Sequence, residues 1–146
     1  MKPQRDRFKI LQTTWRESEN QLRAIRTPVF IEEQQVAPDF EWDEIDASAI
    51  HLLAMADNQA IACLRIIDFK KIGRMAVLKE WRGLRLGTAL LLEAVHICKS
   101  HGSSSIYLSA QTHAIGFYEK CGFTVTSAVY QDVDIPHVDM QLDISN

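Results

Sequence analysis

The chain has 146 residues, 47% of them hydrophobic and 24% charged, with a formal net charge of −3. That size and apolar content suit a single domain spanning residues 1–146 with a substantial core. The mildly acidic balance excludes the dominant basic face of a general nucleic-acid binder. No run approaches the roughly 18 apolar residues of a membrane span, and the charged opening MKPQRDRFKI has no apolar stretch of signal-peptide length. A soluble, cytoplasmic protein without a membrane partner is expected. Cys63, Cys98 and Cys121 are odd in number and show no CxxC spacing. Neither a disulfide framework nor a zinc site is indicated, and the histidines show no HExxH or other ligand spacing, so no metal is expected.

In chain order, Phe8 to Gln12 reads as a first strand. Thr14, Trp15, Arg16 and Glu17 form a capping box that opens a helix carrying Trp15, Leu22 and Ile25. Thr27 before Pro28 reads as a fresh N-cap with proline at the first helical position, giving a second short helix to about Gln35. From Asp39 to Asp46, five of eight residues are acidic and none is basic. A charge run of that kind is usually a solvated loop, although it also suits long-range steering of a cationic amine. His51 to Ala56 and Ala60 to Ile67 form a hairpin around Asp57, Asn58 and Gln59, with Asn58 in the left-handed conformation.

The stretch from Gly73 to Ser100 organises the rest. A strand from Met75 to Leu78 leads into a loop, Lys79 to Gly87, and then a helix whose Leu86, Leu90, Leu91, Ala94, Val95 and Cys98 recur at helical spacing. A helix N-terminus at the end of a strand offers unpaired N–H groups and the positive end of a dipole, a natural seat for a phosphate. Gly83 and Gly87 let an anion approach the backbone, and Arg82 and Arg85 add charge beside it. A Walker loop is excluded because no lysine follows Gly87, and a dinucleotide GxGxxG is broken at Arg85 and Leu86. His101 and Gly102 end the helix, and Ile106 to Ala110 gives a fifth strand, parallel to the fourth because a helix crosses between them. A short helix from about His113 to Lys120 stops at Gly122. Phe123 to Tyr130 and Val138 to Ile144 complete the strands, the last with Val138, Met140, Leu142 and Ile144 alternating onto one face.

The run Arg82, Gly83, Leu84, Arg85, Leu86, Gly87, preceded by Ala76 and Val77, resembles the [Q/R]xxGxG/A pyrophosphate loop of the GNAT acyltransferases. Arg85 stands where that family usually has glycine, and its backbone N–H serves the same purpose provided its φ is negative. Downstream, LSAQTHAIGFYEKCGF resembles the family's NxxAxxFYxxxGF segment, with Gln111 in the usual asparagine place and Ala114, Phe117 and Tyr118 matching. The run VFIEEQQV (Val29 to Val36), the acids Glu41, Asp43 and Asp46, and His51 are similar to the ElaA-like branch in particular.

The resemblance implies an α/β GNAT fold: a mixed, mostly antiparallel sheet of about six or seven strands, flanked by helices, with acetyl-CoA between splayed fourth and fifth strands. It implies transfer of an acetyl group directly to a primary amine, carried by a small molecule or a peptide. The expected coenzyme-binding residues are Met75, Ala76 and Val77 on the fourth strand, Arg82, Gly83, Leu84, Arg85, Gly87 and Thr88 in the loop, and Gln111, Ala114 and Phe117 downstream. The Met75 N–H is expected to face the acyl oxygen, and Tyr118 to act as the acid toward the departing sulfur. For the base, the resemblance favours Glu33, while His51, His113, His137 and water remain open. A homodimer is compatible. Two other classes stay open as well: a non-catalytic acyl-CoA-binding or regulatory domain, and a nucleotide-phosphate binder.

Overall fold

The computed structural model describes residues 8–144; the reading of the charged N-terminus from Met1 to Arg7 therefore lies outside the described residues. Eight strands form one sheet: β1 (Phe8–Thr13), β2 (Ile50–Ala56), β3 (Gln59–Ile67), β4 (Lys71–Val77), β5 (Ser105–Gln111), β6 (Thr124–Val125), β7 (Tyr130–Asp132) and β8 (Ile135–Asp143). Their order is β1-β2-β3-β4-β5-β8-β6, with β7 also pairing β8. The β4–β5 pairing is parallel and the others are antiparallel.

The central strands are buried on both faces, which is why β2 and β3 read as nearly continuous apolar runs. On one face Leu52, Ala54, Ala62, Leu64 and Ile66 meet Leu90, Leu91, Ala94 and Cys98 of α3 (Leu86–Ser100). On the other, Leu53, Cys63 and Ala76 meet Leu22 and Ile25 of α1 (Trp15–Arg26). The helical spacing of the α3 residues thus becomes one of two core layers. The thiols of Cys63, Cys98 and Cys121 are free.

Four local expectations need correction. Thr27 does not cap a new helix. It is helical itself, and the chain continues from α1 into a π-helical stretch, Thr27–Glu33. Pro28 has no N–H to give the preceding turn, and the wider winding absorbs that loss; Gln34 N–H bonds Val29 O, five residues back, at 3.2 Å. In the β2–β3 turn the left-handed residue is Asp57 (φ 54), not Asn58. The stretch Phe123 to Tyr130 is not one strand but two short ones, β6 and β7, so the sheet has eight strands. The capping box is real, with Glu17 N–H donating to Thr14 Oγ1 at 3.2 Å, but the Glu17 carboxylate accepts from the Thr14 hydroxyl and not from its backbone.

The functional geometry comes from β4. Its pairing with β5 covers only Lys71↔Tyr107 and Ile72↔Leu108. Beyond Ile72 the two strands diverge. On the β3 side the register shifts between Cys63 and Arg65, opposite Arg74, which adopts φ 48. Such a bulge bends a strand and increases its twist. From Gly73 to Val77, β4 therefore has a β3-facing edge that is paired and a β5-facing edge that is not.

Candidate active site

A cleft of about 370 Å³ opens where β4 and β5 part. Met75 from β4, Gln111 from the end of β5, and Ala114, Phe117 and Tyr118 from the following helical turns line it. These five expected residues are brought together from two separate motifs. The 3₁₀ turn Thr112–Ala114 and α4 (Ile115–Lys120) carry the second motif across the mouth of the splay. Tyr118 packs edge-on against Phe117 and against Phe123, with centroids at 5.0 and 6.0 Å. Phe123 is fully buried and fixes the tyrosine ring. The Tyr118 hydroxyl has no hydrogen-bond partner among the described residues, and burial, with a smaller contribution from Cys121, pushes its pKa up to about 12. It is held as a neutral O–H donor in the cleft.

The first motif lies beside this cleft. Gly83 (φ 83) and Arg85 (φ 62) both adopt left-handed conformations, and α3 starts at Leu86. The condition of a negative φ at Arg85 is not met. The residue instead takes the shape a glycine would take there, at about 1–2 kcal/mol of local strain. A left-handed residue followed by a helical one turns successive N–H groups into one concavity, an anion-binding nest. Arg85 provides no side-chain cap, and Ala89 is the first residue of the helix whose N–H bonds back, to Arg85 O at 3.1 Å. Leu86, Gly87 and Thr88 therefore keep free N–H groups at the helix start. The two motifs touch: a Cβ built on Gly87 would sit 3.4 Å from Phe117 Cζ. Ala76 points away into the α1 core, while Leu84 is half-exposed on the loop.

Arg82 is engaged. Its guanidinium forms a two-pronged pair with Glu33 at 2.7 and 3.0 Å, and its Nε donates to Val77 O at 3.0 Å. The hydrogen bond from Arg82 holds the Glu33 carboxyl below the usual carboxylate range. Glu33 does not line the cleft, and so is not brought together with Tyr118 and Met75. Gln111 donates to Gln34 Oε1 at 2.7 Å, closing the cleft between β5 and the π-helical segment.

The acidic loop is solvated only in part: Asp39, Asp43 and Glu44 are exposed, whereas two of its acids are buried. Glu41 and Asp46 are 3% and 1% exposed, and three arginines from distant parts of the chain neutralise them. Arg26 Nε meets Glu41 at 2.7 Å and its Nη1 meets Asp46 at 2.8 Å, while Arg65 Nη1 bridges Asp43 and Asp46 at 2.8 and 3.0 Å. Arg74 at the β4 bulge reaches Glu41 and Asp43 at 3.2 and 3.3 Å and also bonds Glu41 O. Three positive and three negative groups balance. Burial pushes the Asp46 carboxyl up, but hydrogen bonds and charge from Arg26 and Arg65 outweigh it and hold it low. The network fixes the Arg74 side chain, and with it the bulge where β4 leaves β5. These arginines were missed as site-forming residues. Their signal is a single arginine inside an apolar run, as in IACLRII, opposite an acidic stretch with no cation of its own.

Of the candidate histidines, His51 is buried outside the cleft, its Nε2 donating to Asp46 O at 2.9 Å, and burial lowers its pKa. It is a structural, neutral ring. His113 is exposed at the rim, whereas His137 is buried in the wall.

The sequence matches the acetyltransferase (GNAT) domain family over residues 17–144. ElaA of Escherichia coli is 30% identical over 131 residues, covering 84% of this chain and 86% of ElaA. Its crystal structure superposes with a TM-score of 0.83 at 27% identity, over 93% of this chain and 99% of that one. An acyl-CoA N-acyltransferase from Pseudomonas aeruginosa gives 0.84 at 30% identity, over 92% and 99% of the two chains. The CoA-dependent acyl-homoserine lactone synthase BjaI, solved with SAM and isopentyl-CoA, shares the fold at a TM-score of 0.78 and 17% identity, over 94% of this chain and 84% of that one. The chain belongs to the GNAT acetyltransferase family, in the branch that contains ElaA.

Proposed function

We propose that this protein transfers the acetyl group of acetyl-CoA directly to a primary amine. The observation that carries the proposal is the unpaired β4 edge from Gly73 to Val77, which runs between a helix-start anion nest and a cleft holding a neutral tyrosine. Its length, its polar backbone edge and the nest at its far end fit a pantetheine arm ending in a pyrophosphate. BjaI, of the same fold, was solved with an acyl-CoA.

Acetyl-CoA, when bound, supplies an activated thioester carbon and a thiol leaving group. The chain's own groups do the rest. The Met75 N–H would be the donor for negative charge developing on the acyl oxygen. One such donor is commonly worth about 100- to 1000-fold in rate. The Tyr118 hydroxyl would serve the departing sulfur; with its pKa raised to about 12 it stays protonated and able to donate. The N–H groups of Gly83, Arg85, Gly87 and Thr88 would hold the phosphates. In this reading Glu33 serves the loop, because its carboxylate is already satisfied by Arg82.

The test is release of free thiol from acetyl-CoA across a panel of primary amines, with mass detection of the acetylated product. Tyr118→Phe is expected to lower turnover at least tenfold while leaving acetyl-CoA affinity within about twofold. Equal turnover by Tyr118→Phe removes the tyrosine from the reaction. Acetyl-CoA binding with no thiol released to any amine favours a non-catalytic acyl-CoA-binding domain.

A further inference from the structure

We infer that His137 is the general base of the reaction, its Nε2 accepting the proton that the acceptor amine must lose. The inference rests on the acyltransferase reading above and assigns the residue that reading leaves open.

The argument begins with register. His137 opposes Gln111 across β5–β8 and Tyr130 across β7–β8, so Tyr130, His137 and Gln111 form one row that ends at the parting of β4 and β5. The residue is 7% exposed, yet it lines the same cleft as Met75 and Tyr118. Its Nδ1 lies 2.6 Å from Ile135 O. A carbonyl oxygen only accepts, so Nδ1 carries the hydrogen and the neutral ring has its lone pair on Nε2. That atom has no partner among the described residues and is not fully buried, in a residue that lines the cleft. Tyr130 stacks along the ring at 6.1 Å and 23°. The Tyr130 hydroxyl donates to Asp139 at 2.6 Å and pairs with Ser109 at 2.5 Å, so the stacking partner is itself fixed. A base oriented through its other nitrogen is the arrangement proton transfer requires.

The other groups in the cleft are committed elsewhere or stand at its edge. Arg65 from β3, Arg74 from β4 and Glu41 from the short helix Pro38–Glu41 are tied together in the buried ion network. Lys71 from β4 and Asp132 from β7 are exposed and opposite in sign, and His113 stands at the exposed rim. Tyr118 keeps its own proton and is assigned to the departing sulfur, so it does not serve as the base.

The step balances. An ammonium gives one proton to His137 Nε2 as its nitrogen lone pair closes on the acyl carbon and the carbon–sulfur bond breaks. The second proton shed by that nitrogen reaches sulfur by way of the Tyr118 hydroxyl, and Nε2 returns the first to water. The three ammonium protons end on the amide, the thiol and the solvent.

Two measurements test it on the full chain. In ¹⁵N spectra across pH 5 to 9, His137 is expected as the Nδ1–H tautomer when neutral; the Nε2–H tautomer overturns the proposal. With spermidine, lysine methyl ester, tyramine and glucosamine as acceptors, His137→Gln is expected to lower kcat/KM by about 100- to 10,000-fold. It should also flatten the acid limb of the pH profile and keep the stabilisation by acetyl-CoA. In His137→Ala, added imidazole should restore turnover. An unchanged acid limb in His137→Gln, or no rescue in a folded His137→Ala that binds acetyl-CoA, overturns it. Should none of the four amines react, the tautomer decides alone. Absence of any acetyl-CoA stabilisation in the wild type would instead strike at the acyltransferase reading.

Discussion

Replacing Arg26 by methionine keeps the volume of the side chain and removes its charge, leaving Glu41 and Asp46 buried with fewer partners. Arg26 is fully buried and makes four hydrogen bonds, at 2.7 and 2.9 Å to Glu41 and at 2.8 and 3.2 Å to Asp46. Its guanidinium also lies near the rings of Trp15 and Trp42, at 5.5 and 4.9 Å from their centroids. A buried pair adds little against an apolar replacement of both partners, but removal of one partner strands the other, at about 3–5 kcal/mol. With about 2.1 cal/mol/K of unfolding entropy per residue, a chain of this length changes Tm by about 3 °C per kcal/mol. Arg26→Met is therefore expected to lower Tm by about 10–16 °C, read by circular dichroism at pH 7. Arg74 shares Glu41 with Arg26, so the bulge should loosen as well and acetyl-CoA affinity should fall. A change below about 1 kcal/mol would refute the reasoning, because it would mean that Glu41 and Asp46 are hydrated or protonated without Arg26.

Further predictions concern the same network and the loop. The Asp46 carboxyl is held below its unfolded value, so its contribution is fully present above about pH 4 and is lost as pH falls through the lower folded value. Urea unfolding at pH 7 and pH 3 should show a smaller stability difference in Asp46→Asn than in the wild type; an equal difference would remove Asp46 from the acid response. Arg85→Gly relieves a left-handed non-glycine residue but adds unfolded-chain entropy, so it should change stability by about 0 to +1 kcal/mol and retain acetyl-CoA binding. A loss above 1 kcal/mol would mean that the Arg85 side chain holds the loop. Glu33→Gln breaks an exposed pair worth at most about 1 kcal/mol and frees Arg82, so acetyl-CoA affinity by calorimetry should rise by up to about fivefold. A fall in affinity, or a tenfold loss of turnover, would return Glu33 to the site as anchor or base.

What the sequence discloses here depends on how local each determinant is. The α3 face is legible because Leu90, Leu91, Ala94 and Cys98 repeat at helical spacing within one segment, and the parallel β4–β5 pair follows from the helix between them. The two motifs are legible because their residues are contiguous. The point of divergence after Ile72 is not, since it depends on a register shift opposite Arg74 and on side-chain anchors 33 positions away. Likewise Arg26 and Asp46 are 20 positions apart, and an acidic run reads as solvated until its arginines are found. Thr27 and Pro28 read as a helix start because local propensity cannot register that α1 runs on into a wider winding. His137 was visible only as one of several histidines. What distinguishes it is the carbonyl of Ile135 on its Nδ1, a contact set by how the chain enters β8.

The most direct test of acetyl-CoA as the ligand is thermal unfolding of the wild-type chain with and without acetyl-CoA, with ATP and NAD as controls. A ligand at a hundredfold excess over its Kd that binds only the folded state adds about 2.7 kcal/mol, which for this chain is a rise of about 5–10 °C. A rise of that size with acetyl-CoA and not with ATP or NAD is the predicted result. No rise at saturating acetyl-CoA, or an equal rise with ATP, would contradict the account.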